Sequence, residues 1–222
     1  MKIDVAALEQ YLSYRDRKYI APAKAGERAD EMETFKIDGQ TARAAFSELA
    51  KQIDSELAHF KMERVSGWMN QAQIGRPLFF CYYNHEASSR VDPTFAIRLL
   101  MIEGRLGISV EVSFIERGVV PETIVRQNRV LDVPVSDGVY YFVQRDGESR
   151  RVEGTEENRQ GLLEQLTAGL FRKVLVKFDI PDLGQFETDE DLVAEIMAGF
   201  RALHPYYGAT QGNTDFWGCD FD

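Results

Sequence analysis

Thr94–Arg117, TFAIRLLMIEGRLGISVEVSFIER, is two apolar runs joined by one short turn. In the second run Ile108, Val110, Val112 and Phe114 alternate with Ser109, Glu111 and Ser113. That period of two predicts a strand with one buried face and one wet face. In the first run Phe95, Ile97, Leu99 and Met101 share one face, and Ala96, Arg98, Leu100 and Ile102 the other. A strand apolar on nearly both sides belongs inside a sheet rather than at its rim. Gly104, Arg105 and Gly107 supply the turn, because glycine accepts the positive φ of tight hairpin turns. The stretch is therefore the expected centre of an antiparallel sheet.

Outward from it, the long helix expected from about Gln40 to Lys61 carries a 3.6-period stripe of Ala42, Phe46, Leu49, Ile53, Leu57 and Phe60. Residues 4–18 predict a first helix capped by Asp4, and the polar stretch 20–34 a loop or linker. Pro77–Tyr83 is a strand by its aromatic content. Pro121 opens a short helix through Leu131; Val139–Arg145 and Glu148–Val152 are paired strands around Asp146-Gly147. A helix over Glu156–Leu170, a strand over Phe171–Ile180 and a last helix follow. Thr188 and Asp191 form its capping box, and His204-Pro205 is its expected stop. Without regular βαβ alternation the pattern is α+β: a mostly antiparallel sheet centred on 94–117 with helices packed on it. The expected organisation is an N-terminal helix and linker (1–34), a core domain (35–205) and an acidic aromatic tail (206–222).

Composition excludes several classes. The 222 residues carry a formal net charge of −10. Residues 131–222 hold 8 Lys/Arg against 18 Asp/Glu, while residues 61–130 hold 9 against 7. An acidic surface repels phosphate backbones, so nucleic acid is a disfavoured partner. No run reaches the ~20 apolar residues of a membrane span, and the N-terminus has no secretory h-region. Cys81 and Cys219 read as reduced thiols of a cytoplasmic protein. No phosphate loop, dinucleotide fingerprint, zinc spacing or nucleophile elbow is present, so neither cofactor nor metal is expected.

Of three histidines, only His85 lies in a loop with other reactive types. His85, Glu86 and Asp92 are the catalytic candidates, because a histidine beside carboxylates suits proton transfer. A solvated connection explains the same residues and is the favoured reading. Tyr83, His85 and Arg90 are the ligand-binding candidates on that loop. Trp68, Phe79, Phe80, Tyr82 and Tyr83 lie among Arg64, Arg76 and Arg90, a mixture able to stack bases, although aromatics filling both faces of a strand is the favoured explanation. Arg126 and Arg129 form the one local basic surface and are the nucleic-acid candidates. Neutralisation of the acidic C-terminal third is preferred for them.

FKIDGQTARAAFSELAKQID (35–54) resembles the start of an uncharacterised bacterial family typified by the YktB protein, in which Phe-x-Ile-x-Gly opens a long helix. FRALHPYY (200–207) is similar to that family's closing helix, and the central hairpin occupies the matching middle position. The resemblance implies an α+β fold and no assigned activity. A thinner similarity is to the N-terminal DNA-recognition domains of McrB-type restriction GTPases, which would imply DNA binding. The expectation from all of this is a cytosolic binding or regulatory module for an unknown small molecule or protein, without membrane association. Two alternatives stand beside it: a DNA-recognition domain and a hydrolase-like enzyme using the His85 loop.

Overall fold

The computed structural model describes residues 3–89, 91–115, 122–145 and 147–211. In chain order it begins with helices α1 (Val5–Leu12) and α2 (Ala29–Glu56). Strands β1 (Phe60–Met62), β2 (Phe79–His85), β3 (Pro93–Ile102) and β4 (Arg105–Phe114) follow. Next come α3 (Glu122–Asn128), β5 (Val139–Arg145), β6 (Glu148–Glu153) and α4 (Glu156–Thr167). Strand β7 (Lys173–Ile180) and helix α5 (Asp189–Thr210) complete the order. The strands form one sheet, β1-β2-β3-β4-β7-β5-β6, with every neighbour antiparallel. The α+β expectation stands, and the β3–β4 hairpin is at its centre.

The hairpin turns through Glu103 (φ 50°) and Gly104 (φ 83°), the two positive angles of a two-residue primed turn whose twist matches the strands. Its register pairs Phe95 with Val112, Ile97 with Val110 and Leu99 with Ile108. With Phe79, Cys81 and Tyr83 of β2 and Val174 and Val176 of β7, these side chains make one fully buried apolar face. Helix α5 lies on that face: a Cβ on Gly199 would come within 2.8 Å of Phe178 and 3.1 Å of Val110. Phe200 packs on Tyr83 and Phe95, and Tyr207 stacks on Phe95 at 4.7 Å. Helix α2 covers β2, where Tyr83 Oη donates to the Ala50 carbonyl at 3.0 Å. Helix α1 joins the same core through Leu8, Tyr11 and Leu12, with the Tyr11 ring 5.0 Å from Phe79.

Several boundaries differ from expectation. Helix α2 starts at Ala29, not near Gln40, so the stretch expected to be a linker is partly helical. Met32, Phe35 and Gly39 continue the buried stripe backwards, and Gly39 lies against the Trp68 ring, where no side chain fits. Position 35 thus falls inside a helix, and α1 is part of the main core. Helix α2 ends at Glu56, and Phe60 begins a short edge strand. Helix α5 does not stop at His204-Pro205 but runs to Thr210. Proline removes one helical N–H; buried Tyr206 and Tyr207 hold the last turn, Tyr206 Oη accepting from Ser136 N at 2.9 Å. The capping box at Thr188 is as expected, its Oγ accepting from Asp191 N at 3.1 Å. The tail beyond residue 211, with Cys219, lies outside the described residues, as do Arg90, Arg117 and Pro121.

Candidate functional site

The other face of the sheet carries the alternate residues: Phe80 and Tyr82 of β2, Thr94, Ala96 and Arg98 of β3, Ser109, Glu111 and Ser113 of β4. It continues through Lys177 and Asp179 of β7, then Tyr140 and Phe142 of β5, and Arg151 of β6. Tyr11 of α1, Tyr83's partner Ala50 in α2 and Gly199 of α5 meet the sheet on its apolar face. The second face was expected to be wet, yet Ser109, Glu111 and Ser113 are buried, Glu111 to 1% exposure.

Pairing explains how a carboxylate is tolerated there. Glu111 lies directly across from Lys177 and one diagonal step from Arg98. Arg98 Nε donates to Glu111 Oε1 at 2.8 Å and its Nη2 lies 2.6 Å from the same oxygen, while Lys177 Nζ is 3.0 Å from Oε2. Burial alone would lower the Arg98 pKa; the Glu111 charge more than offsets this and raises it above its ordinary value. The side chains of Arg98 and Lys177 are 16% and 9% exposed. Two cations therefore converge on one carboxylate at the centre of the sheet.

Aromatic rings flank this charge on both sides. The Arg98 guanidinium lies 5.3 Å from the Phe80 ring centre and 5.8 Å from Tyr82, whose hydroxyl is 3.4 Å from Nη2. Lys177 sits 4.5 Å over Phe142. On the next strands Arg151 lies 3.7 Å over Tyr140 and pairs with Asp179 at 2.9 Å. Tyr140 Oη donates to Asp179 at 3.1 Å, and burial, then the Asp179 charge, raises its pKa. The result is a strip of alternating rings and cations across β2, β3, β4, β7, β5 and β6.

The loop favoured from sequence is arranged differently. Its two carboxylates have different cationic partners. Glu86 pairs with Lys61 at 3.1 Å, and Asp92 accepts from Ser89 and pairs with Arg126 at 2.9 Å. The His85 ring packs edge-on to Phe60 at 5.3 Å, 6.4 Å from His59, and its Nδ1 accepts from Ala87 N. Burial, then the neighbouring His59, lowers its pKa. Tyr83, chosen as a ligand-binding residue, is 0% exposed on the helix-covered face and has no surface to offer a ligand. The register decides this: Tyr82 faces the strip and Tyr83 the core. Arg90 is outside the described residues.

Arg126 and Arg129 are engaged within the fold. Arg126 donates to the carbonyls of Thr210 (3.0 Å) and Val91 (3.3 Å) as well as to Asp92, lies over Phe114 and is 14% exposed. Arg129 reaches the Gln211 carbonyl at 3.4 Å. Both side chains thus meet the negative C-terminal end of α5. Cys81 is fully buried, and its thiol is pushed up to about 12 by burial, which leaves it protonated and unreactive. Among the described residues no group of three or more His, Cys, Asp or Glu is gathered as a metal-binding set, and no helix is long and apolar enough to cross a membrane. Compared with known proteins, the chain matches no family model, no curated protein and no solved structure.

Sequence reasoning missed the strip because its charges, Arg98, Glu111, Arg151, Lys177 and Asp179, sit on four strands far apart in the chain. The one local signal was the unexplained Arg98 inside an otherwise apolar strand.

Proposed function

We propose that the protein is a cytosolic binding module, without a catalytic step of its own, whose recognition surface is the ring-and-cation strip of the sheet. Its ligand is a small anion that carries a flat ring. The observation that carries this reading is the convergence of Arg98 and Lys177 on Glu111: two cations share one carboxylate, so the centre of the strip keeps a net positive charge in a protein of net charge −10. Among the described residues Arg98 Nη1 has no protein partner, which leaves donors for an incoming anion. Half-buried Phe80 and Tyr82 give a flat ring something to stack on. The DNA-recognition alternative has less support, because Arg126 and Arg129 already serve α5. The hydrolase alternative has less support, because Glu86 and Asp92 turn to Lys61 and Arg126. A cytosolic, bacterial-type setting is in keeping with the YktB-like pattern and the buried thiol of Cys81.

The test is an amide NMR titration at low salt with a nucleoside monophosphate and, separately, inorganic phosphate. The expected result is selective movement of the Tyr82, Arg98, Glu111 and Lys177 amides, weaker with phosphate alone. Tyr82→Leu, at a half-exposed position, should keep the fold and weaken the nucleotide roughly fivefold to a hundredfold, the worth of one stacking contact. Unmoved amides at millimolar nucleotide, with the wild-type spectrum intact, would overturn the proposal.

A further inference from the structure

On the opposite face from Arg98, α4 stands off the β5–β6 hairpin. Its main backbone contacts run to the short 3-10 turn Arg129–Asp132, and of its apolar residues only Leu162 is buried. Between helix and hairpin lies a groove of about 400 Å³. Val143, Val152 and Leu162 form its apolar floor. Arg145 and Arg150 line the hairpin side, and Glu157 and Gln165 the helix side. Arg150 faces Val143 across the β5–β6 ladder and has an exposed partner, Glu148, at 3.3 Å. Residues 131–222 carry 8 basic against 18 acidic side chains; two arginines and one glutamate line the groove, with Glu148 beside it as the partner of Arg150 and across the ladder from Arg145.

We propose that this groove binds an aliphatic carboxylate, a short to medium alkyl chain with one anionic end. The volume lies in the range of small-molecule sites, and the floor is apolar with the cations to one side. The alkyl chain lies along Val143, Val152 and Leu162, and the carboxylate meets the two guanidiniums, which pair with carboxylates in a fork geometry. Gly161 keeps the groove open: a Cβ there would meet nothing within 4 Å, so the space beside α4 is empty. The site is independent of the ring-and-cation strip, since its residues project from the other face of the sheet.

The position of Gly161 makes the proposal testable without unfolding the protein. Glycine inside a helix is unfavourable, so Gly161→Leu should fold at least as well as the wild type while filling the groove. Hexanoate, octanoate and decanoate are titrated against the full chain and followed by NMR. The Val143, Val152 and Gly161 amides should move, with affinity rising roughly fourfold per added methylene buried. Gly161→Leu should abolish the movement. Arg150→Gln should weaken octanoate and leave octanol unchanged. Three results would overturn the proposal: no movement at millimolar decanoate, binding that survives Gly161→Leu, or octanol binding as well as octanoate.

Discussion

On one face of the sheet Phe95, Ile97 and Val110 are shut away from water beneath α2 and α5; on the other, Ala96, Ser109 and Glu111 are buried to the same degree, Glu111 between Arg98 and Lys177. The first face excludes water with apolar area, which is non-directional and tolerates any well-packed neighbour. The second does so with Arg98, Glu111 and Lys177, which hold one another at hydrogen-bond distances and tolerate no missing member. Equal burial therefore hides two kinds of fragility. A hydrophobic face fails in proportion to the volume removed, whereas a charged one fails by leaving a partner unpaired. That difference is also why the second face is the better candidate for recognition: it keeps directional donors that the first face lacks.

The largest effects test that contrast directly. Phe95→Ala opens a cavity between β3, α5 and Tyr207 and should cost about 3–5 kcal/mol in denaturant unfolding. Glu111→Ala should cost about as much, because it leaves two cations buried without their carboxylate. The two are separated by a rescue. Replacing all three charges together (Arg98→Met, Glu111→Leu, Lys177→Met) should recover most of the stability lost in Glu111→Ala, since a well-packed apolar set of similar volume is often as stable as the ion network. The same triple variant should lose the ring-bearing anion. A triple variant as unstable as Glu111→Ala would show that the charges are required by the fold itself, and the distinction between the faces would collapse.

A middle-sized effect concerns the join between the faces. Arg126 ties Val91 and Asp92, at the entry to β3, to Thr210, at the end of α5. Arg126→Gln should cost about 1.5–3 kcal/mol, the worth of hydrogen bonds made by a charged group. Hydrogen exchange should locate the loss at 91–94 and 206–211, with the β5–β6 hairpin unchanged. Uniform loss of protection would mean that Arg126 supports the whole sheet rather than one corner.

How much of this could be read in the chain depends on the range of each interaction. The hairpin was legible because its alternation and its turn are local: Ile108, Val110, Val112 and Phe114 fix the face and Gly104 the reversal. Val139–Arg145 was legible for the same reason. The start of α2 was not, because Met32, Phe35 and Gly39 sit in a polar stretch, and Phe35 and Gly39 are buried by tertiary contacts with Tyr14, Tyr19 and Trp68. Pro205 misled by its local rule, which the burial of Tyr206 and Tyr207 overrides. In β2 aromatics occupy both phases of the alternation, so composition alone did not say that Tyr82 and not Tyr83 faces the strip. The polar phase of β4 looked solvated because the partners of Glu111 lie on two other strands.

The smallest expected effect lies at the rim of the apolar face, where His85 packs on Phe60. Burial, then the neighbouring His59, lowers the His85 pKa below its ordinary 6.5. As pH falls, the unfolded chain therefore takes up this proton before the folded one does, and ∂ΔG/∂pH is positive across that interval. The stabilising contribution is complete above pH 6.5 and is lost as pH drops through the folded midpoint. The His85 ring proton should titrate with a midpoint below 6.5 by NMR, and His59→Gln should move that midpoint upward by removing the second cause. His85→Gln should flatten the acid side of the stability curve between pH 7 and the folded midpoint, leaving the ring-and-cation strip untouched. A midpoint at or above 6.5 would mean that the ring is hydrated despite its contact with Phe60, and that the apolar face ends one residue earlier than the packing implies.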